Sequence, residues 1–267
     1  MFNRHSDYTS PRRSVTQGML SSVKRATNFI IQPLGLEIVR KDRHDWSDTR
    51  NFIPFAETLE ASRQTGMTIG DYIDTVIAGT PGATENTIRN LQSIGVFSHT
   101  IETAVEIGPG SGRYLEKVVA VCAPKRYEIY ETSAPWASYL AREYKVIVQP
   151  TDGRSLAATR NGSCNLVQAY KVFSSIPFLT SLRYWAEMLR VASPGGYIIF
   201  DVLTETCLGG DTINQWIESD IDNGSFPASI PRATAIEYFS RGGCDFLESF
   251  LVPIGKGYTE TFVFRKI

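Results

Sequence analysis

The feature that most constrains this chain is a glycine-rich loop between a short apolar run and a helical pattern. Residues 104–107, Ala-Val-Glu-Ile, have the composition of a short buried strand in a parallel sheet. The loop at 108–112 has three glycines in five residues, which lets the backbone turn sharply and a ligand lie against bare amides. The predicted helix that follows points its first N–H groups at the same place. The sequence therefore predicts a ligand site at a strand–loop–helix junction.

A second predicted strand brings an acidic residue within reach of this loop. Residues 127–130, Tyr-Glu-Ile-Tyr, are typical of a buried strand, and Glu131 follows them directly. Glu131 stands about 20 residues beyond the loop, the spacing at which a carboxylate accepts the hydroxyls of a ribose. We therefore expect a nucleoside-containing cofactor with Glu131 on its ribose.

The glycine spacing distinguishes two classes of cofactor. A dinucleotide fold uses G-x-G-x-x-G, so that a third small residue lets helix and strand pack closely around a pyrophosphate. Counted from Gly108 and Gly110, this third glycine would stand where the chain has Arg113. Glu106 instead completes an E-x-G-x-G-x-G pattern, and its carboxylate would repel a pyrophosphate but suit an ammonium or sulfonium group.

This pattern resembles the first motif of the class I S-adenosylmethionine-dependent methyltransferases. The resemblance implies a Rossmann-like α/β fold, with a doubly wound, seven-stranded sheet that ends in an antiparallel hairpin, and S-adenosyl-L-methionine as the cofactor. In the family an acidic residue followed by a small one meets the adenine after the third strand, as Asp152-Gly153 would here. The cofactor-binding residues that the resemblance implies are Glu106, Gly108, Gly110, Gly112, Glu131, Asp152 and Gly153.

The rest of the chain follows the order of elements expected of that family. Apolar and β-branched runs predict five further strands, at residues 146–148, 165–170, 197–203, 246–254 and 258–265. A predicted helix over residues 182–191 stops at the Ser-Pro-Gly-Gly cluster of residues 193–196. We therefore expect a cofactor-binding domain at residues 101–267 and a helical lid with a basic tail at residues 1–100.

The first hundred residues are predicted to be largely helical. Apolar residues from Val15 to Ile30 recur at spacings of four, four, three and four, which marks an amphipathic helix. Residues 1–43 carry eight Lys or Arg against three Asp or Glu, so this segment can rest on an anionic membrane surface. Docking on the protein itself or on a second copy, as in a homodimer, is the alternative. The lid would consist of three predicted helices, over residues 55–64, after Thr68 and over residues 84–91.

Composition excludes several classes of protein. The net charge of −1 gives no general attraction for nucleic acid, so we expect no nucleic-acid partner. The four cysteines have no C-x-x-C spacing, which argues against a disulfide framework or a zinc site. There is neither an apolar run of 18 residues nor a secretory signal. These features predict a cytoplasmic protein, and the basic tail leaves peripheral contact with the inner membrane surface open.

The candidate catalytic residues lie at the ends of the predicted strands. Methyl transfer is an in-line displacement that depends on positioning, and a hydroxyl acceptor also needs a base or a metal. Groups at the carboxyl ends of the strands face the cofactor in such folds. We therefore nominate Tyr170 and Lys171 after the fourth strand and Asp201 or Glu205 at the end of the fifth, with Asp201 as the first candidate for the base. A metal would need clustered ligands at this end of the sheet. Asp201, Glu205 and Asp211 could supply them, but their spacing is not diagnostic and no metal is predicted.

The acceptor is the least constrained part of the prediction. The order of motifs resembles a bacterial subgroup of methyltransferases that is suspected of methylating sugars, so we expect O-methylation of a sugar or glycan-linked small molecule. That subgroup tends to have a histidine near position 170, which this chain lacks. The absence of an N-P-P-Y-type run after the fourth strand argues against adenine or glutamine as acceptor. A nicotinamide-dependent oxidoreductase and a non-catalytic scaffold with this fold are the alternatives.

Overall fold

Seven strands form one sheet in the part of the chain that the structure, a computed structural model, describes: residues 53–211, 213–214, 228–254 and 257–267. The strands are β1 (Thr103–Ile107), β2 (Arg126–Tyr130), β3 (Ile147–Val148), β4 (Cys164–Ala169), β5 (Ala192–Val202), β6 (Cys244–Ile254) and β7 (Gly257–Lys266). Their order across the sheet is β3-β2-β1-β4-β5-β7-β6. Strands β1 to β5 pair in parallel, and β7 runs antiparallel to both β5 and β6. The predicted seven-stranded sheet with its terminal hairpin is confirmed.

Helices cover both faces of this sheet. They are α1 (Phe55–Thr65), α2 (Ile69–Tyr72), α3 (Ala83–Ile94), α4 (Arg113–Cys122), α5 (Ala134–Glu143), α6 (Phe178–Val191) and α7 (Arg232–Arg241). A π-helical turn, Ile73–Ile77, continues α2, and a 3-10 turn, Glu205–Cys207, follows β5. One hydrophobic core packs α3, α4 and α5 on one face through Leu91, Leu115 and Leu140. The other core packs α6 and α7 on the opposite face through Trp185 and Phe239.

The parallel arrangement brings the functional segments to one edge of the sheet. The loops after β1, β2, β4 and β5 all leave from the carboxyl ends of these strands, and the antiparallel β7 begins there. We call this the carboxyl edge, where ligands of open α/β sheets bind. β1 and β4 lie in the middle of the sheet, and their side chains are almost all buried, as their apolar sequences predict.

One local prediction differs from the structure, and another is confirmed. The Ser-Pro-Gly-Gly cluster ends α6 as predicted, but residues 193–196 lie inside β5 and not before it. The β4–β5 pairing shifts register between Cys164 and Leu166, and this irregularity accommodates Gly195 at φ +77°. The predicted cap of α2 is confirmed, because the Thr68 hydroxyl accepts the Asp71 N–H at 3.1 Å.

The basic tail and the predicted helix from Val15 to Ile30 lie outside the described residues. The described residues all belong to one compact unit, Trp46–Ile267, which therefore includes α1 to α3 together with the sheet. No helix among them is long and apolar enough to cross a membrane. All four cysteines are free, and three are buried, as their apolar surroundings predict.

Candidate active site at the carboxyl edge

The glycine loop between β1 and α4 has three residues in the left-handed region. Gly108, Gly110 and Gly112 have φ of +59°, +53° and +79°, where side chains other than hydrogen are strained. A Cβ on Gly108 would lie 2.8 Å from Val172 Cγ2, and one on Gly112 would overlap Leu140. A Cβ on Gly110 would meet no described atom within 4 Å. Packing therefore explains Gly108 and Gly112, whereas Gly110 faces open space in which a ligand can lie.

Glu131, which follows β2 directly, is joined to this loop by a hydrogen bond. Its Oε2 accepts the Gly110 N–H at 2.7 Å, and its Oε1 accepts the Ser133 N–H at 2.7 Å. The side chain is almost fully buried, and burial raises its pKa above the ordinary value although the amides of Ser133 and Gly110 oppose the rise. Each carboxylate oxygen has further acceptor capacity. Glu131 therefore braces the loop and can still accept hydroxyls from a ligand.

Glu106 lies in β1 just below the loop, in a buried polar cluster. Its Oε2 accepts the Tyr127 hydroxyl at 2.5 Å and the Gln168 amide at 3.0 Å. Gln168 also donates to the Tyr127 hydroxyl at 2.7 Å. Burial raises the pKa of Glu106 to about 7, although the bonds from Tyr127 and Gln168 lower it. A cation close to Glu106 would favour its ionised form.

Asp152 shapes the turn after β3. Its Oδ1 accepts the N–H groups of Arg154 and Ser155, at 3.0 and 2.8 Å, and the Ser155 hydroxyl at 3.0 Å. Partial desolvation opposes the effect, but these bonds hold the pKa of Asp152 below its ordinary value. Gly153 has φ +74° in this turn. Asp152 is exposed and ionised, and its contact with an adenine remains a prediction.

Lys171 and Asp201, from the loop after β4 and the end of β5, form a single cluster with Thr259. The Lys171 N–H bonds to Asp201 Oδ1 at 2.6 Å, and its ammonium lies 2.8 Å from Oδ2. The Thr259 hydroxyl donates to Oδ2 at 2.5 Å and also contacts the ammonium. Lys171 has φ +60°, a conformation that costs about 1–3 kcal/mol outside glycine. Asp201 therefore holds Lys171 in a strained turn, with both of its oxygens engaged.

Tyr170 is placed beside this cluster but has different surroundings. Its ring stacks on Tyr114, with centroids 3.9 Å apart and planes 11° apart. Its hydroxyl donates weakly to Gln168 Oε1 at 3.4 Å. Burial raises the pKa of Tyr170 well above its ordinary value, so at neutral pH the hydroxyl is a hydrogen-bond donor. This favours a packing role over that of a base.

Carboxylates further along the chain after β5 serve structural purposes. Glu260 in β7 accepts bonds from Thr204, Ser249 and Arg232 at 2.6, 2.7 and 2.8 Å. Glu205 accepts the Arg232 N–H at 2.8 Å. These contacts hold the chain after β5 against the start of α7. Within the described ranges, no group of three His, Cys, Asp or Glu is placed to hold a metal.

Two contacts that involve the first helices could not be read from the sequence. Arg113, the first residue of α4, bonds to Asp74 at 2.6 Å across 39 residues. The Trp136 indole donates to the carbonyl of Ile53 at 2.8 Å, and its ring packs edge-on against Phe55. The one available signal was Arg113 itself, a large cation where a dinucleotide fold would have glycine. Both contacts fasten the start of the described chain to α4 and α5.

Comparisons with known proteins agree with this topology. No protein-family model and no curated protein sequence matches the chain. Among solved structures it is similar to the N-methyltransferase NodS from Bradyrhizobium japonicum WM9 in complex with S-adenosyl-L-homocysteine, at 16% identity and TM-score 0.50, over 68% of this chain and 86% of that one. It is also similar to magnesium protoporphyrin IX methyltransferase from Synechocystis PCC 6803 with the same ligand, at 11% identity and TM-score 0.52, over 69% and 81%. The fold is that of the class I methyltransferases.

The same methyltransferase fold also occurs in a protein that is named for another reaction. The [4+2]-cyclase SpnF resembles this chain with 13% identity and TM-score 0.51, over 67% of this chain and 80% of that one. Identities this low show a shared fold and no more, and one fold hosts many reactions. The chemistry of the chain must therefore be argued from its own residues.

Proposed function

We propose that this chain is a class I methyltransferase that uses S-adenosyl-L-methionine. The observation that carries the proposal is the junction of Glu131 with Gly110 at the carboxyl edge, beside open space. A nucleoside lying there would meet bare loop amides, the N-terminus of α4 and a carboxylate whose oxygens can each accept a ribose hydroxyl. The two similar methyltransferases crystallised with S-adenosylhomocysteine support the same class of ligand.

The charge and size of the loop residues favour this cofactor over a dinucleotide. Arg113 occupies the position at which a pyrophosphate-binding loop needs glycine, and its side chain is directed to Asp74. Glu106 places a buried carboxyl beneath the loop, where a pyrophosphate would add negative charge and an ammonium or sulfonium group would add positive charge. A nicotinamide cofactor fits these residues poorly.

For the acceptor we keep a hydroxyl of a sugar or glycan-linked small molecule. At the carboxyl edge, the side chain of Lys171 is 14% exposed, whereas that of Asp201 is 1% exposed. In this proposal Lys171 orients the acceptor oxygen, and Asp201 receives its proton directly or through one water when Thr259 turns away. Tyr170 supports the cofactor loop through Tyr114.

Calorimetry with S-adenosylhomocysteine and NAD tests the cofactor assignment. We expect micromolar or tighter binding of S-adenosylhomocysteine and no binding of NAD. The Gly110→Val variant should fold but no longer bind S-adenosylhomocysteine. Binding of NAD alone would replace the proposal with the oxidoreductase alternative. Binding of neither ligand by the folded wild-type chain would leave a scaffold.

Transfer of a labelled methyl group tests the acceptor. The chain is incubated with methyl-labelled S-adenosylmethionine and an extract of its host, and the labelled product is fractionated. We expect label in a carbohydrate fraction. Label confined to protein, nucleic acid or lipid amines would refute the sugar assignment and keep the enzyme class. Transfer to no fraction, with intact cofactor binding, would favour the scaffold or a different reaction of the bound cofactor.

A further inference from the structure

A buried carboxylate joins the first helices to the cofactor loop. Asp74 lies in the π-helical turn after α2 and is 3% exposed. Its Oδ1 accepts Arg113 Nη1 at 2.6 Å and the Thr84 hydroxyl at 3.0 Å, and its Oδ2 accepts the Thr84 N–H at 2.8 Å. This side chain therefore connects three elements: the turn that carries it, the start of α3 and the start of α4.

Arg113 links the glycine loop mechanically to Asp74. It follows Gly112 directly, so that a movement of the loop moves its backbone. Its guanidinium lies over the ring of Tyr114, 5.2 Å from the centroid, and Tyr114 in turn stacks on Tyr170. The contact is close on the other side as well, since a Cβ on Gly70 in α2 would lie 3.1 Å from Arg113 Cβ. Loop and first helices cannot move independently without separating these groups.

The energetics make the pair an all-or-none contact. A carboxylate in a buried position is costly unless it is paired and hydrogen-bonded, and removal of one partner leaves the other uncompensated. Asp74 is satisfied only while Thr84 and Arg113 both stay in place. Groups held in this way favour two discrete arrangements, formed or separated, over a continuous range. The state of the loop and that of residues 69–94, which we call the leading segment, are then linked.

We propose that the Asp74–Arg113 pair couples ligand binding at the glycine loop to the leading segment. A ligand that fixes the loop fixes Arg113, which holds Asp74 and with it residues 69–94. By linkage, the ordered segment must tighten ligand binding by the same factor. Asp74 and Arg113 are positioning residues in this scheme. The proposal rests on the proposed cofactor site, because it needs a ligand at that loop.

Hydrogen exchange with and without S-adenosylhomocysteine tests the coupling. In the wild-type chain we expect the ligand to slow amide exchange both at residues 108–116 and in the leading segment. In Asp74→Asn, protection at 108–116 should remain, protection of residues 69–84 should be lost, and the Kd should rise about tenfold. Asp71→Asn, which neutralises an exposed carboxylate in α2 just before that turn, is the matched control and should behave as wild type.

A double-mutant cycle separates coupling from simple destabilisation. Asp74→Asn, Arg113→Gln and the double variant are compared for Kd and for the melting temperature of the ligand-free chain. If the pair is the coupler, the double variant binds no more weakly than the weaker single variant. A purely structural pair would lower the melting temperature and leave the Kd and the ligand-induced protection of residues 69–84 unchanged.

The outcomes distinguish this inference from the proposed function. Binding of S-adenosylhomocysteine by the wild-type chain without protection of the leading segment would overturn the coupling and keep the cofactor site. Protection of that segment that persists in Asp74→Asn would overturn the role of the pair. Failure of the wild-type chain to bind the ligand would remove the proposed function first, and the coupling with it.

Discussion

Replacing Glu131 by Ala gives the sharpest test of the cofactor site, because this carboxylate has two separable tasks. It accepts the N–H groups of Gly110 and Ser133, and we propose that it also accepts the ribose hydroxyls. A hydrogen bond to a charged group contributes about 1.5–3 kcal/mol, and solvation of the freed amides returns part of this. We therefore expect the free energy of unfolding of the ligand-free chain to fall by about 2 kcal/mol.

The loss of affinity follows from the ribose contacts. Two charge-assisted bonds contribute about 3–6 kcal/mol, and water that reaches the freed hydroxyls in Glu131→Ala returns about half, so the net loss is about 2–3 kcal/mol, or roughly a hundredfold in Kd for S-adenosylhomocysteine. Calorimetric titration measures this value directly. Glu143→Ala, which removes an exposed carboxylate from α5, is the matched control and should leave the Kd unchanged. Unchanged affinity in Glu131→Ala would refute the assignment.

A modified ligand separates the two tasks. S-adenosylhomocysteine without its ribose 2′-hydroxyl should bind the wild-type chain about tenfold more weakly than the parent ligand, since one such bond is lost. Glu131→Ala should bind both ligands equally, because the partner of the hydroxyl is already gone. If Glu131 only braces the loop, the substitution weakens both ligands equally and the wild-type chain does not discriminate between them. That pattern would contradict ribose recognition.

Three further predictions follow from the same edge of the sheet. Gly110→Val should abolish S-adenosylhomocysteine binding in calorimetry while circular dichroism shows a folded chain, because a side chain at position 110 is strained and occupies the open space. Wild-type affinity in this variant would mean that the loop is only a turn. Asp201→Asn should keep the Kd of the cofactor and lower kcat about a hundredfold, with Asp245→Asn as the exposed control; unchanged turnover would exclude Asp201 as base. The pKa of Glu106 is raised from 4.5 to about 7, so the free energy of unfolding should fall by roughly 3 kcal/mol as pH rises from 4.5 to 7 and remain flat above pH 7. Denaturant titrations of Glu106→Gln should lack this pH dependence, and an equal dependence in both proteins would show that another group causes it.

The sheet was predictable because its signals are local and strong. β1 and β2 are short apolar runs, and each was predicted to within one residue at either end, since a strand buried on both faces has few polar positions. The cluster at residues 193–196 was harder. It marks the end of α6 correctly, yet nothing in the sequence showed that an irregular pairing with β4 would take these residues into β5.

The site was predictable in its parts and not in its pairings. The residue types and spacing of Gly110 and Glu131 indicated a shared ligand, and the structure joins them by a hydrogen bond. The spacing could not show that Lys171 and Asp201 would pair, because 30 residues and a helix separate them. Such contacts depend on tertiary packing, which a single sequence does not report.

The charges around the loop indicate what its ligand must carry. Glu106 and Glu131 approach one another closely enough that Glu131 adds to the rise in the pKa of Glu106, after the larger effect of burial. A bound ammonium or sulfonium group would offset this repulsion, lower the pKa of Glu106 and release a proton near neutral pH. Binding enthalpies of S-adenosylhomocysteine at pH 6.5 should therefore differ between phosphate and imidazole buffers, whose ionisation enthalpies differ, and should agree in Glu106→Gln. Equal enthalpies for the wild-type chain in both buffers would show that the cationic end of the ligand lies away from Glu106, and the loop would then recognise the nucleoside through Glu131 alone.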